Sequence, residues 1–387
     1  MMRVGVIGCG MVSHAYLGTV ARAPQLELRA LASRTMTSAE TQAARYGGTA
    51  MTVEALLADP DVDIVVNLAP PATHYDLCRA ALVAGKHVYC EKPLATSLDQ
   101  ARALVSLADD QGLSIGCAPD TFLGEGHQAA RRLIDENAIG TVTGGTAFFG
   151  TRGMESWHPN PAFFFARGGG PLLDIGPYYV TQLVNLLGPV AEVAAIGTTP
   201  RTTRVITTQG REGEAIPVAV PTTVTGALLF ASGANVSIAL SWDIAAHRRP
   251  PIELYGDAGT MIAPDPNQFA GAVRVSTDGS QWTCIGEETE RPRLDAATLA
   301  RALQAMGRGI DPLTGGDIGP ETALRFGDRR GLGLIDMADA IAAGRAPRAS
   351  GHLACHVLET LLALEASAEG AGRVAIASRI DRPASVA

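Results

Sequence analysis

The 387-residue sequence predicts an α/β protein in two parts. Residues 1–120 read as a doubly wound parallel sheet, and residues 121–387 as an α/β domain built on a large, open antiparallel sheet. Up to Ala118, short apolar segments alternate with helical patterns of roughly 10–15 residues, the rhythm of parallel strands joined by crossover helices. Beyond it, strand-like segments follow one another without intervening helices, which favours antiparallel pairing. Near the start, a glycine-rich turn sits between the first strand and the first helix, where such sheets bind ligands.

Arg3 to Ile7 is the first apolar strand, and it runs into Gly8-Cys9-Gly10-Met11-Val12-Ser13 before a helix from His14 to Ala23. In this G-x-G-x-x-S pattern, Gly8 permits the tight turn and Gly10 lets the backbone approach a pyrophosphate. Met11 and Val12 lead into the helix, whose N-terminal N–H groups and dipole favour an anion. His14 reads as packing. The second strand, Leu26 to Ala32, ends in Ser33-Arg34-Thr35 and lacks the acid that binds a ribose 2′-hydroxyl in NAD-preferring sites. A hydroxyl and a guanidinium there suit a 2′-phosphate, so the reading leans to NADP, with stacking of Arg34 on adenine as the alternative.

Helices over Ser38 to Tyr46 and Thr52 to Asp59 precede a strand from Asp63 to Ala69. Pro70 to His74 then opens a helix to Ala84, followed by the strand His87 to Cys90, an amphipathic helix from Ser97 to Gln111 and the strand Leu113 to Cys117. Ligands of open parallel sheets lie at the strands' C-terminal ends, which makes Ala69, Pro70, His74, Glu91 and Lys92 candidate cofactor contacts. Helix capping is the other reading of His74. Of 31 basic residues only Lys86 and Lys92 are lysines. An arginine stays charged, whereas a partly buried lysine titrates, so Lys92 in Glu91-Lys92-Pro93 stands out as a proton-transfer candidate.

In the second part, a helix from Gly126 to Glu136 precedes strands near Val142 to Gly150, Val190 to Gly197, Thr222 to Phe230, Asn235 to Trp242, Ile252 to Gly256 and Val273 to Ser276. Between the first two lies Gly168-Gly-Gly-Pro-Leu-Leu-Asp174-Ile-Gly-Pro-Tyr178-Tyr. A helix starting at Pro171 would put Asp174 and Tyr178 on one face. The segment before it carries Arg152, Glu155, Trp157, His158, Asn160 and Arg167. Trp157 suits a sugar ring and the guanidiniums suit a carboxylate, sulfonate or phosphate. Asp120, just past the last parallel strand, is expected to face the same cleft, and Phe163 to Phe165 read as packing.

Net charge of −8 without a basic tract argues against nucleic acid as a partner. No apolar run has the length of a membrane span, and the apolar strand beginning at Arg3 leads us to expect no signal peptide. Six cysteines in no metal-like or disulfide-like spacing fit a reducing compartment, so the expectation is a cytoplasmic protein without a metal site.

In Val4-Gly-Val-Ile-Gly-Cys-Gly10, Glu91-Lys-Pro93 and Gly169-Gly-Pro-Leu-Leu-Asp-Ile-Gly-Pro-Tyr178, the sequence resembles the Gfo/Idh/MocA oxidoreductases over almost its whole length. The resemblance implies an N-terminal Rossmann domain, a C-terminal α/β domain with an open antiparallel sheet, and hydride transfer between NAD(P) and a hydroxyl of a sugar or polyol. A sheet open on one face often pairs with another subunit, so a homodimer or tetramer is expected. Lys92 and Asp174 fall on the family's catalytic lysine and aspartate. Tyr178 stands where histidine is common, as in glucose–fructose oxidoreductase-like branches that favour NADP. A free phenol titrates near pH 10, so its use as a base needs a neighbouring ammonium. A second branch implies another outcome: NAD-dependent glycosidases, including ones for sulfonated sugars, that oxidise transiently, eliminate, add water and return the hydride.

Overall fold

The computed structural model describes residues 1–158, 160–208, 210–286, 319 and 327–386. The chain forms two compact units, one of Met1–Leu123 with the described part of Ala305–Leu358, the other of Gly124–Gln304, as described, with Glu359–Ala387. The return of residues 327–358 to the first unit differs from a division at residue 120, because that segment pairs and packs with strands far away in sequence.

The first unit holds strands β1 (Met2–Ile7), β2 (Leu26–Ala32), β3 (Thr49–Met51), β4 (Ile64–Asn67), β5 (His87–Cys90) and β6 (Ile115–Cys117). Their order is β3-β2-β1-β4-β5-β6 and every pairing is parallel, as expected. The reversal of direction at β1 and β4 is the switch point where such a sheet opens a crevice. β4 is buried along its whole length, as a central strand covered on both faces must be. The helices are α1 (Ser13–Arg22), α2 (Met36–Tyr46), α3 (Val53–Ala58), α4 (His74–Val83) and α5 (Leu98–Asp110). Ser97 caps α5 as predicted, its hydroxyl accepting from the Gln100 N–H.

In the second unit, α6 (Glu125–Asp135) is followed by β7 (Val142–Gly150), α7 (Ala162–Phe165), α8 (Gly170–Asp174) and α9 (Gly176–Leu187). Then come β8 (Val190–Thr198), β9 (Thr203–Val205), β10 (Ala215–Pro217), β11 (Thr223–Phe230), β12 (Asn235–Ser241), β13 (Ile252–Gly256), β14 (Thr260–Ala263), β15 (Val273–Ser276) and β16 (Thr283–Ile285). Two late helices, α10 (Leu332–Ala343) in the first unit and α11 (Gly351–Ala366), precede the short β17 (Val374–Ala375). Strands β9 and β10 pair as a separate ribbon, and the other strands form a nine-stranded sheet, β16-β15-β14-β13-β7-β12-β11-β8-β17.

Among the described residues, seven of its eight pairings are antiparallel, as expected, and one is not: β7 and β12 run parallel. More than 80 residues separate them, ample for the crossover a parallel pair requires. Alternation along β11 and β12 buries Val224, Leu228, Val236, Ile238 and Leu240 on one face. The opposite face leaves Thr225, Ser237 and Asn235 exposed, with Ile196 at 73%. Among the described residues, six strands of two to four residues (β3, β9, β10, β14, β16 and β17) escaped prediction because so short a segment shows no period.

Candidate functional site

β1 ends at Ile7 and the chain turns at Gly8, whose φ of 105° lies in the left-handed region. A Cβ there would stand 2.6 Å from the Leu68 carbonyl carbon, so only glycine fits. A Cβ on Gly10 would meet nothing within 4 Å, so this residue faces open space before α1. Met11 is exposed, and Val12 caps α1 without a side-chain hydrogen bond. No acid occupies the first turn of α1. An uncovered helix start behind two glycines fits the pyrophosphate of a dinucleotide. Ser13 is buried and its hydroxyl donates to the Gly10 carbonyl at 2.6 Å, filling the role of the third small residue. His14 packs as expected: its Nδ1 lies 2.9 Å from the Tyr46 hydroxyl, and burial pushes it down to about 4. At the end of β2, Ser33 is half-buried and Arg34 exposed, ahead of α2, whose first turn also lacks an acid.

Asn67 ends β4, and Ala69 and Pro70 form the turn that follows. His74 lies beneath this turn with no exposed surface. Its Nδ1 is 2.6 Å from the Pro93 carbonyl and its Nε2 2.7 Å from the Ala69 carbonyl. This corrects its assignment as a cofactor contact: both ring nitrogens are already committed to the backbone. Glu91 and Lys92 follow β5. The Glu91 carboxylate accepts from the Tyr16 hydroxyl at 3.0 Å and the Lys92 N–H at 2.9 Å, and lies 3.9 Å from the Arg330 guanidinium. Lys92 is half-buried. The other lysine is structural, since the Lys86 amine donates to the Asp59 carbonyl at 2.7 Å.

Asp120 also needs correction. It is 1% exposed, and one carboxylate oxygen accepts the N–H groups of Gly331 (2.8 Å) and Gly333 (2.9 Å). Its carboxylate therefore caps the start of α10 and is not free to meet a substrate. Gly331, at φ 103°, makes the turn that aims those N–H groups. Burial raises Asp120 to about 6 despite both bonds. Tyr16, Arg330 and this returning segment were missed from sequence, because bonds that span 75 residues, as from Tyr16, or more than two hundred, as from Asp120, leave no local pattern.

In the second unit, β7 ends at Gly150 and delivers the segment carrying Arg152, Trp157 and His158. The Arg152 side chain is exposed, and Trp157 meets the His158 ring edge-on at 5.4 Å. Burial lowers His158, while the Asp174 carboxylate opposes that shift, so the structure brings these two within electrostatic reach. Arg167 is exposed and its charge acts on Glu365. Phe164 and Phe165 pack edge-on against Trp242, as expected for core aromatics.

Asp174 and Tyr178 do not share one continuous helix. Asp174 ends α8 and Tyr178 belongs to α9, with Ile175 between them. Pro177 has no N–H with which to carry the ladder across, which explains the break. Asp174 is half-buried and Tyr178 buried. Sequence reasoning also missed Arg204 on β9, 1% exposed, which bonds Glu155 at 2.8 Å, Asp243 at 2.5 Å and the Arg152 carbonyl at 3.2 Å. Thr208 adds bonds to the Glu155 and His158 carbonyls. The β9–β10 ribbon thus fixes the backbone of residues 152–158. No group of His, Cys, Asp or Glu among the described residues has the makings of a metal site, and no described helix is long and apolar enough to cross a membrane.

A parallel sheet with a glycine turn at its switch point and a lysine past β5, joined to an open-sheet unit, defines a two-part nicotinamide-dependent oxidoreductase. The chain belongs to the Gfo/Idh/MocA family: residues 2–118 match its oxidoreductase NAD-binding Rossmann fold and residues 127–262 its C-terminal domain. It is 29% identical to dTDP-3,4-didehydro-2,6-dideoxy-alpha-D-glucose 3-reductase of Saccharopolyspora spinosa, over 82% of this chain and 92% of that enzyme. It is 27% identical to inositol 2-dehydrogenase of Rhizobium meliloti, over 88% and 95%. Among solved structures, an NAD binding oxidoreductase from Klebsiella pneumoniae superposes with a TM-score of 0.75 at 25% identity, covering 97% of this chain and 98% of that one. Levoglucosan dehydrogenase with NADH and L-sorbose shares the fold, with a TM-score of 0.76 at 23% identity and coverage of 98% and 99%.

Proposed function

We propose that this protein transfers hydride between a nicotinamide and a ring hydroxyl of a sugar or sugar derivative, anionic ones included. The carrying observation is Glu91-Lys92-Pro93, a lysine turn tied through His74 to the turn beside Gly8. Relatives named for a dTDP-sugar, for inositol and for levoglucosan support a carbohydrate substrate.

Bound NAD(P) supplies the hydride acceptor. Lys92 and Tyr178 hydrogen-bond the reacting hydroxyl, and one of them takes its proton as the C–H electron pair leaves with the hydride. Asp174 orients these groups and balances the lysine charge. Arg152, Trp157, His158 and Arg167 would contact the rest of the ring, Trp157 by stacking and the arginines by pairing with an acidic substituent. Ser33, Arg34 and the acid-free start of α2 support NADP over NAD. Titrating the protein with NADH and NADPH, followed by cofactor fluorescence, tests that preference; tighter NADH binding overturns it.

Free sugars, inositols and aryl glycosides, acidic ones among them, should be screened while both cofactor absorbance and aglycone release are followed. Net cofactor reduction on a free sugar is the expected result. Aglycone release with only catalytic cofactor overturns it in favour of a glycosidase. The exposed face of the nine-stranded sheet, with Ile196, Leu229 and Tyr255, supports pairing with a second copy, for which sedimentation velocity should read a dimer or tetramer. Six free cysteines, four of them buried, fit a cytoplasmic setting.

A further inference from the structure

We infer that Asn67 and His74 are positioning residues that lock three turns of the cofactor crevice into one rigid body. The turns are those of Gly8, of Leu68–Pro70 and of Glu91–Pro93, which follow β1, β4 and β5. The inference rests on the family's nicotinamide chemistry but not on the choice of substrate.

Ala69 is gripped from both ends of its backbone. Its N–H donates to the Asn67 side-chain oxygen at 3.1 Å, and its carbonyl lies 2.7 Å from His74 Nε2. The Asn67 amide nitrogen donates to the His74 carbonyl at 3.4 Å and to Cys78 Sγ at 3.3 Å, so its two polar atoms join the turn to α4. Across the ring, His74 Nδ1 reaches the Pro93 carbonyl at 2.6 Å, one residue past Lys92. On the other side, the space a Cβ at Gly8 would fill is taken by Leu68 and by the Ala69 nitrogen, 2.9 Å from it. Asn67 and His74 are both fully buried, so neither trades these bonds for water. The backbone ladder ties the same places, with Leu68 N–H donating to the Ile7 carbonyl at 2.8 Å and Glu91 N–H to the Asn67 carbonyl at 2.9 Å.

Two side chains thus set the distance from the pyrophosphate turn to the lysine turn. The two ring nitrogens of His74 lie on opposite sides of the imidazole and so reach the Ala69 and Pro93 carbonyls at the same time. An amide side chain offers donors at one end only. His74→Gln can therefore keep one brace at most, and His74→Phe keeps none while filling similar space.

Hydrogen–deuterium exchange on the full-length protein should show segments 68–73 and 91–95 both exchanging faster in His74→Gln, although they are about twenty residues apart. NADH and NADPH titrations followed by fluorescence should weaken about tenfold in His74→Gln and further in His74→Phe, the scale of one lost buried hydrogen bond per step. Circular dichroism and the thermal midpoint identify any variant that fails to fold, and Asn67→Ala provides an independent loosening of the same turn. If only 68–73 loosens while 91–95 and cofactor affinity stay at wild-type values, the brace is refuted. Absence of turnover on every sugar would instead count against the proposed function, because exchange and cofactor binding are read without substrate.

Discussion

Replacing Asp120 with asparagine tests whether burying a carboxylate at the start of α10 costs stability at neutral pH. Burial raises this group from 3.8 to about 6, even with two N–H donors on one oxygen. The folded protein therefore holds the proton more tightly than the unfolded chain does. Its contribution is fully present below the unfolded value and is lost as pH rises through the folded one. At 1.36 kcal/mol per unit, the shift of roughly two units is worth about 3 kcal/mol, of which about 2 kcal/mol falls between about pH 4.5 and about pH 7.5. Asparagine keeps one acceptor oxygen with lone pairs for both N–H groups and carries no charge. Urea unfolding of wild type and Asp120→Asn at those two pH values reads the difference directly. The variant should gain on wild type by about 2 kcal/mol from the lower pH to the higher. A wild-type-minus-variant difference that stays constant within a few tenths of a kcal/mol would refute the reasoning, because a carboxylate with an ordinary pKa gives no such slope.

Lys92→Arg keeps the cation and removes the titratable amine, so kcat should fall by about 10²–10⁴-fold while NADH still binds; unchanged turnover rules out proton transfer through this residue. Arg204→Met leaves Glu155 and Asp243 buried without their cation and should cost about 3–5 kcal/mol in urea unfolding. A loss below about 1 kcal/mol would mean that the cluster behaves like a surface pair.

Much of the first unit was legible because its signals are local. A strand buried on both faces must be apolar, a turn that passes 2.6 Å from another backbone must be glycine, and a helix start that receives an anion avoids acids. These demands fall on consecutive residues, so Gly8, Gly10 and the Glu91-Lys92-Pro93 turn could be placed without coordinates. His74 and Asp120 show where that logic stops. Their positions past strand ends were right, but a side chain at a strand end can face the crevice or brace the backbone beneath it. Only the neighbours decide which.

For Asp120 the deciding neighbours are Gly331 and Gly333, more than two hundred residues away; for Glu91 one of them is Arg330. The same holds for the parallel pairing of β7 with β12 and for Arg204 beneath residues 152–158. The sequence by itself determined the periodicities, the turns and the chemical types available at the strand ends. The tertiary structure decided which of those groups are free and which are already spent on the chain, because that depends on contacts between segments whose separation no local pattern records.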